Sequence, residues 1–261
     1  MSQSPSIAAV LIVQDEAHQL RDCLATLAWA DEIVVVDGGS RDGTADLARA
    51  LGGRVVERTF TDFADQRNFA LAQATAEWVL MIDADERVTE NLRDEIREAV
   101  RRPGCDAYRV PHLDYMFGRW IRHGGWFPQY HLRLARRSGA RWDRPVHEVL
   151  TVDGKVGTLR EPLLHFAHAD VRDFIRKLNR YTDDEVERQW AGRRPPWWRV
   201  LCEPPLYFAY KYFVQSGWRD GGHGFILAQL MAFYRFSRLA KAWTRSRPAE
   251  DRSAPPRMRA G

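Results

Sequence analysis

Trp78-Val79-Leu80-Met81-Ile82-Asp83-Ala84-Asp85-Glu86 is an apolar run that stops abruptly in carboxylates. At this length such a run reads as a strand buried on both faces, as strands of a parallel sheet are; we place it at Glu77 to Ile82. Two upstream segments read the same way. Ile7 to Val13 is unbroken apolar and passes through Gln14-Asp15-Glu16 into a helical pattern of Leu20, Cys23, Leu24 and Leu27. Glu32 to Val36 runs into Asp37-Gly38-Gly39-Ser40-Arg41-Asp42-Gly43-Thr44, and a helix carrying Leu47, Ala48 and Leu51 follows. A further strand is expected at Arg54 to Arg58 and a helix at about Phe63 to Ala74. Strand and helix alternating at this spacing imply right-handed βαβ units and a mostly parallel sheet covered on both faces. Ligands bind such sheets beyond the carboxyl ends of the strands. Those ends collect Asp15 and Glu16, Asp37, and Asp83 to Glu86.

Beyond the helix expected at Thr89 to Arg101 the pattern loosens. Tyr108 to Pro111 and Tyr130 to Arg136 read as strands around a Gly- and aromatic-rich stretch, Thr151 to Leu164 as strand and turn, and Val171 to Arg188 as a charged helix. Pro195-Pro196 and Pro204-Pro205 are expected to break the chain into short helical pieces before a last helix at Phe225 to Arg245. The expected domains are an α/β domain at 1–170, made of a more regular half at about 6–110 and a less regular one at 111–170. A helical extension at 171–247 and a disordered tail at 248–261 complete the chain.

The 261 residues are 45% apolar and 28% charged, which suits a folded chain with a sizeable core and excludes intrinsic disorder. Their formal charge of +4 is unevenly spread. Residues 1–170 hold 21 basic and 26 acidic side chains, whereas 171–247 hold 15 and 7. Three widely spaced cysteines, Cys23, Cys105 and Cys202, supply neither a disulfide framework nor a paired metal motif. The start resembles no signal peptide, and no apolar run reaches the roughly 18 residues of a membrane span. Residence on the cytoplasmic side is expected.

Three groups of residues could carry chemistry. Asp83 and Asp85, at the exit of a buried strand, are placed to hold Mg²⁺ or Mn²⁺ while substrate phosphates complete the coordination. The simpler reading is negative charge at the start of the next helix, a role that suits Glu86 and Glu90. The Asp37 to Thr44 turn lacks the GxGxxG spacing and the Lys of phosphate loops. Asp37 is placed to accept from a base or ribose, although a tight turn capped by Asp42 or Thr44 explains the same residues. The third group is Val146-His147-Glu148 with His165 and His168: a carboxylate beside a His suits a general base, and one His suits a metal or a phosphate.

Together these motifs resemble a family 2 glycosyltransferase of the GT-A fold, with Gln66-Arg67-Asn68-Phe69-Ala70-Leu71 as a further match. Gly118 to Trp126, Val146-His147-Glu148 and Gly217-Trp218-Arg219-Asp220-Gly221 resemble the lipopolysaccharide core β-1,4-glucosyltransferases more narrowly. Gln14-Asp15-Glu16 departs from the family, which has a basic residue and Asn before the Glu. The resemblance implies that Glu16 and Asp37 hold uridine and ribose, that Arg67 meets the base or diphosphate, and that Asp83 faces the ribose or metal. It implies Asp85 and His165 as metal ligands, Glu148 as catalytic base, and Gly125, Trp126 and His147 on the acceptor side. The implied reaction is inverting transfer of a hexose, glucose first, from a UDP-sugar to a lipid-linked inner-core sugar. A polyprenyl phosphate or another envelope glycan is the alternative acceptor.

The C-terminal part suggests where that acceptor would be met. Arg235, Arg238, Lys241 and Arg245 fall on one helical stripe about 120° wide. Trp197, Trp198, Tyr207, Phe208 and Tyr210 lie nearby. The expectation is an interfacial helix laying its cations on an anionic membrane, peripherally bound at the cytoplasmic face of the inner membrane. A helix packed by its apolar side with a solvated basic face is the plainer reading. Nucleic acid is the less suitable anionic partner, because the carboxylate rim would repel it.

Overall fold

The computed structural model describes residues 4–143, 149–190 and 193–245. His147, Glu148 and the tail from residue 248 therefore lie outside the described residues. The first half follows the expected alternation: β1 (Ile7–Val13), α1 (Ala17–Ala25), β2 (Glu32–Asp37), α2 (Thr44–Ala50), β3 (Arg54–Glu57), α3 (Phe63–Gln73) and β4 (Trp78–Met81). β3, β2, β1 and β4 lie side by side and parallel, with Val13 opposite Asp37 and Val10 opposite Met81. Alternate residues of β1 part to the two faces of the sheet. Ile7, Ala9, Leu11 and Val13 join Leu20, Leu24 and Leu27 of the α1 region, while Ala8 and Val10 join Ala64, Ala70 and Leu71 of α3. Both faces are covered, which is why the run has no polar gaps.

The sheet then becomes mixed. β5 (Glu86–Arg87), α4 (Glu90–Arg101), β6 (Ala107–Met116), β7 (Arg119–Trp120), β8 (Gln129–Arg136), β9 (Ala140–Asp143), β10 (Val149–Val152), β11 (Val156–Thr158) and β12 (Leu163–His168) follow in order. β8 lies between β4 and β6, antiparallel to both, and β12 and β5 close that end of the sheet. β6 does not stop at Pro111. His112 and Asp114 extend it at alternate positions and both are buried, so their polarity marks a strand face turned inward rather than a strand end.

The chain divides into two compact units, residues 1–115 with 127–167, and residues 116–126 with 168–261. The Gly- and aromatic-rich segment 116–126 thus groups with the C-terminal helices rather than with the strands around it. Those helices are α5 (Val171–Gln189), α6 (Trp197–Ala209) and α7 (Gly221–Arg245). α6 runs through Pro204-Pro205, contrary to the expected break. The missing N–H groups remove two helical hydrogen bonds, but Glu203 pins the segment, accepting from Arg199 at 2.8 Å and from Arg238 of α7 at 2.9 Å.

The basic stripe of α7 faces the other way from the expectation. Arg235 and Arg238 reach Glu203, Arg238 also reaches Glu185, Lys241 lies 3.2 Å from Asp183, and Arg245 lies 2.6 Å from Asp183. The cations are spent on carboxylates of α5 and α6, and Arg238 is only 8% exposed. Phe225, Ile226, Phe233 and Phe236 are the exposed residues instead. The reason is electrostatic: Asp183, Glu185 and Glu187 on α5 offer the stripe a partner that solvent does not better. Glu203→Ala, which leaves Arg238 buried without its nearest carboxylate, is expected to cost about 2 kcal/mol in urea unfolding. Glu57→Ala, at an exposed pair with Arg49, should leave the unfolding midpoint unchanged.

Candidate active site

The turns that leave β1 and β2 are laced together. Asp15 N–H donates to Ser40 Oγ at 2.9 Å and Arg41 N–H donates to Asp15 Oδ1 at 2.7 Å. Glu16 N–H donates to Thr44 Oγ1 at 2.9 Å, and Ala17 N–H to Asp42 Oδ2 at 3.0 Å. Asp37 is 2% exposed, and its Oδ2 accepts from the N–H groups of Gly39 and Ser40. Gly43 has a φ of 88°, a conformation that side chains with a Cβ avoid, and it turns the chain into α2. Asp42 Oδ1 accepts from Thr44 N–H at that helix start. The tight-turn explanation holds, but the N-cap of α2 is Gly43 rather than Asp42 or Thr44; Asp42 and Asp37 each brace the turn, and Glu16 stands half-buried at the neighbouring helix start.

A buried charge cluster closes the end of β4. Asp83 Oδ1 accepts from Arg67 Nη2 at 2.9 Å and its Oδ2 from Arg133 Nη2 at 2.8 Å. The same Arg133 nitrogen lies 2.5 Å from Glu86 Oε1, and Glu86 Oε2 accepts from Asp83 N–H. Burial works to raise the Asp83 carboxyl, but the two guanidinium groups hold it far below the ordinary carboxylate range. Glu86 is pushed up to about 7 by burial, against the pull of Arg133. His112 is driven well down by burial and by Arg133, so its neutral Nε2 accepts from Arg133 Nε at 3.4 Å. Glu86 is fully buried and is not helix-start charge; Thr89 caps α4 instead, its Oγ1 accepting from Leu92 N–H.

Asp85 has a different environment. Its Oδ2 lies 3.4 Å from His165 Nε2, and the other ring nitrogen, Nδ1, lies 2.7 Å from Asp114 Oδ1. Burial lowers the ring's proton affinity, but the Asp114 and Asp85 carboxylates raise it more, to about 10. The ring bridges two carboxylates, and taking up a cation between Asp85 and Nε2 releases the proton that this nitrogen otherwise shares with Asp85. A carboxylate behind one imidazole nitrogen, with the other nitrogen facing a second carboxylate, is the arrangement that orients a metal-ligating His. Among the described residues no three His, Cys, Asp or Glu side chains converge as a cation cage. Asp85 and His165 fit Mg²⁺ or Mn²⁺ as a two-donor set that needs a substrate diphosphate to complete it.

The first unit therefore holds Glu16, Asp37, Arg67, Asp83, Asp85 and His165, along the neighbouring ends of β2, β1 and β4 and on α3 and β12. Arg67, expected at the base or diphosphate, is buried against Asp83 with its guanidinium 4.7 Å from the Trp142 ring centre. Gly125 and Trp126 belong to the second unit, where Lys211 Nζ donates to Gly124 O at 2.9 Å. Arg133 and Asp114 were not anticipated. A signal existed: His112 with Asp114, and His131 with Arg133, are polar pairs at alternate positions within strands.

Residues 9–154 match the model of glycosyl transferase family 2. The chain belongs to that family and is a glycosyltransferase of the α/β GT-A class with a C-terminal helical region. Lipopolysaccharide core biosynthesis glycosyltransferase LpsC of Rhizobium meliloti (strain 1021) is 34% identical over 251 residues, 92% of this chain and 93% of that protein. An uncharacterized glycosyltransferase of Rickettsia bellii (strain RML369-C) is 28% identical over 90% of this chain and 85% of its own. Glucosyl-3-phosphoglycerate synthase of Mycobacterium tuberculosis, solved with Mn²⁺ and uridine diphosphate, aligns at 22% identity and a TM-score of 0.35. That match spans under half of either chain, 44% and 45%.

The buried cluster should behave as an all-or-none unit. Arg133→Met, which takes the guanidinium from buried Glu86 and leaves Asp83 with Arg67 alone, is expected to lower stability by about 3–5 kcal/mol in chemical denaturation, with loss of the native near-ultraviolet spectrum on mild heating.

Proposed function

We propose that the chain is an inverting hexosyltransferase moving a hexose, with glucose as the leading donor sugar, from a UDP-sugar to an inner-core sugar of lipopolysaccharide. The observation that carries the donor side is the Asp85–His165 pair, oriented by Asp114 at the exit of β4. The acceptor follows the relative named for lipopolysaccharide core biosynthesis, which matches nearly the whole chain.

Asp85 and His165 would hold Mg²⁺ or Mn²⁺, with Asp83 beside them. When bound, the cation offsets negative charge developing on the departing diphosphate. Arg67 and Arg133 keep Asp83 ionised and fixed, so the donor meets a preset wall. Glu16 receives the uridine and ribose beside the turn that Asp37 shapes. Glu148 is the base, taking the acceptor hydroxyl proton as that oxygen attacks the anomeric carbon opposite the leaving diphosphate. Attack from that side inverts the centre to a β-glycoside. His147, Gly125 and Trp126 are assigned to the acceptor. The membrane-linked acceptor places the enzyme at the cytoplasmic face of the inner membrane.

The deciding assay is UDP release from a panel of UDP-sugars with Mn²⁺, with and without deep-rough lipopolysaccharide. Release should need both metal and acceptor, and be largest with UDP-glucose. Asp85→Ala and Glu148→Gln should each cut it by at least about 10²-fold, and chelation by EDTA should abolish it. Undiminished turnover in either variant removes that residue from its role, and release with polyprenyl phosphate alone moves the acceptor. Asp114→Asn is expected to weaken Mn²⁺ binding in the presence of UDP by about 10–100-fold, read by calorimetry.

A further inference from the structure

We propose that α6 and α7 dock the second unit on a phospholipid bilayer by burying an uncharged apolar face among the lipids, not by laying cations on anionic head groups. The proposal deepens the lipid-linked acceptor reading, on which its place in catalysis rests, but separate observations carry it. α6 turns Trp197, Leu201 and Leu206 outward, and the chain after it adds Phe213; these are 66%, 62%, 67% and 62% exposed. Phe233 and Phe236 continue the exposed set on α7. Residues 225, 226, 229, 233 and 236 recur at helical spacing on one face and none is charged.

The charged residues of the same helices are tied to carboxylates, with Arg238 buried, Arg199, Arg235 and Lys241 half-buried, and Arg245 exposed. Arg199, Arg235 and Arg238 converge on Glu203, and Lys241 and Arg245 on Asp183. Exposed rings beside cations already spent on carboxylates form a face that water does not favour. An apolar surrounding favours it, since the rings lose their contact with water there. A shallow groove lined by Trp198, Leu206, Tyr207 and Tyr210 opens on the same helix. Trp and Tyr at such an edge suit the boundary between acyl chains and head groups. Among the described residues no helix is long and apolar enough to cross a membrane, so the face lies in one leaflet.

Charge distinguishes lipid from a second copy of the chain. Residues 193–241 hold 8 basic and 2 acidic side chains. Both acids are engaged, Glu203 as above and Asp220 by His123 and the N–H groups of Arg122 and His123. Arg193, Arg194 and Arg219 are exposed. A two-fold dimer of this basic segment would bring like charges together, whereas a bilayer meets them with phosphates.

The test is co-sedimentation of the full chain with vesicles of phosphatidylcholine alone, or with phosphatidylglycerol added, at low and at about 1 M salt, where charges are screened beyond roughly 3 Å. Binding is expected on both vesicles and at both salts. L206E combined with F233E should cut the bound fraction about tenfold, and R193A with R194A less than about threefold. L206S with F213S serves if the glutamates disturb the far-ultraviolet spectrum. Three results overturn the proposal: binding to neither vesicle, binding that needs anionic lipid and vanishes at high salt, or a solution dimer that L206E dissociates. UDP-sugar turnover is measured separately. Vesicle binding without any transfer would sink the catalytic reading and leave the docking face standing, and transfer without vesicle binding would do the converse.

Discussion

Arg133 stands between two carboxylates, Asp83 and Glu86, with Arg67 completing the set from α3. These groups arrive on four different elements or their ends, and His112 adds a fifth from β6. Buried ions stabilise little as isolated pairs but are costly to leave half-made. The strands carrying them are therefore held in one register at the end of the sheet where ligands bind. With Asp83 turned to the guanidinium groups, Asp85 two residues on is left to face His165. The carboxylates of one short motif thus divide their work: one is fixed inward by charge, the other is offered outward on an oriented ring.

Most of the nucleotide half was legible because its signals are local. Unbroken apolar runs ending in Asp37 and Asp83 specify buried parallel strands, and the glycines after Asp37 specify a tight turn. What was not legible depends on pairing between distant strands. β8 brings Arg133 to Asp83 from 50 residues further along the chain, β6 brings Asp114 to His165 across 51, and nothing near either residue states its partner. The sequence places Asp83 beside substrate or metal and does not announce its cationic neighbours, which come from elsewhere in the chain. Glu86 was read as helix-start charge for the same reason.

The C-terminal helices show a different limit. Periodicity tells which residues share a face of α7 but not which face meets a neighbour. The basic stripe was visible as a stripe; its direction was decided by Asp183, Glu185 and Glu187 on α5 and by Glu203 on α6. Reading those acids as partners rather than as solvent-facing charge inverts the helix and turns its phenylalanines outward. The proline pair in α6 misled in a related way, since a lost backbone bond at one position was outweighed by side-chain pairs spanning two helices.

The laced turns after β1 and β2 bear on what donor binding costs. Each turn supplies the hydrogen-bond partners of the other, Ser40 and Thr44 receiving from Asp15 and Glu16 while Asp15 and Asp42 receive from Arg41 and Ala17. The two turns brace each other, and Asp37 and Asp42 add braces within theirs. If these turns receive the nucleoside as proposed, the entropy of arranging them is spent during folding and not at each encounter with a sugar nucleotide. A sequence change in either turn would consequently be felt in the affinity for the nucleoside even where the altered side chain never touches it.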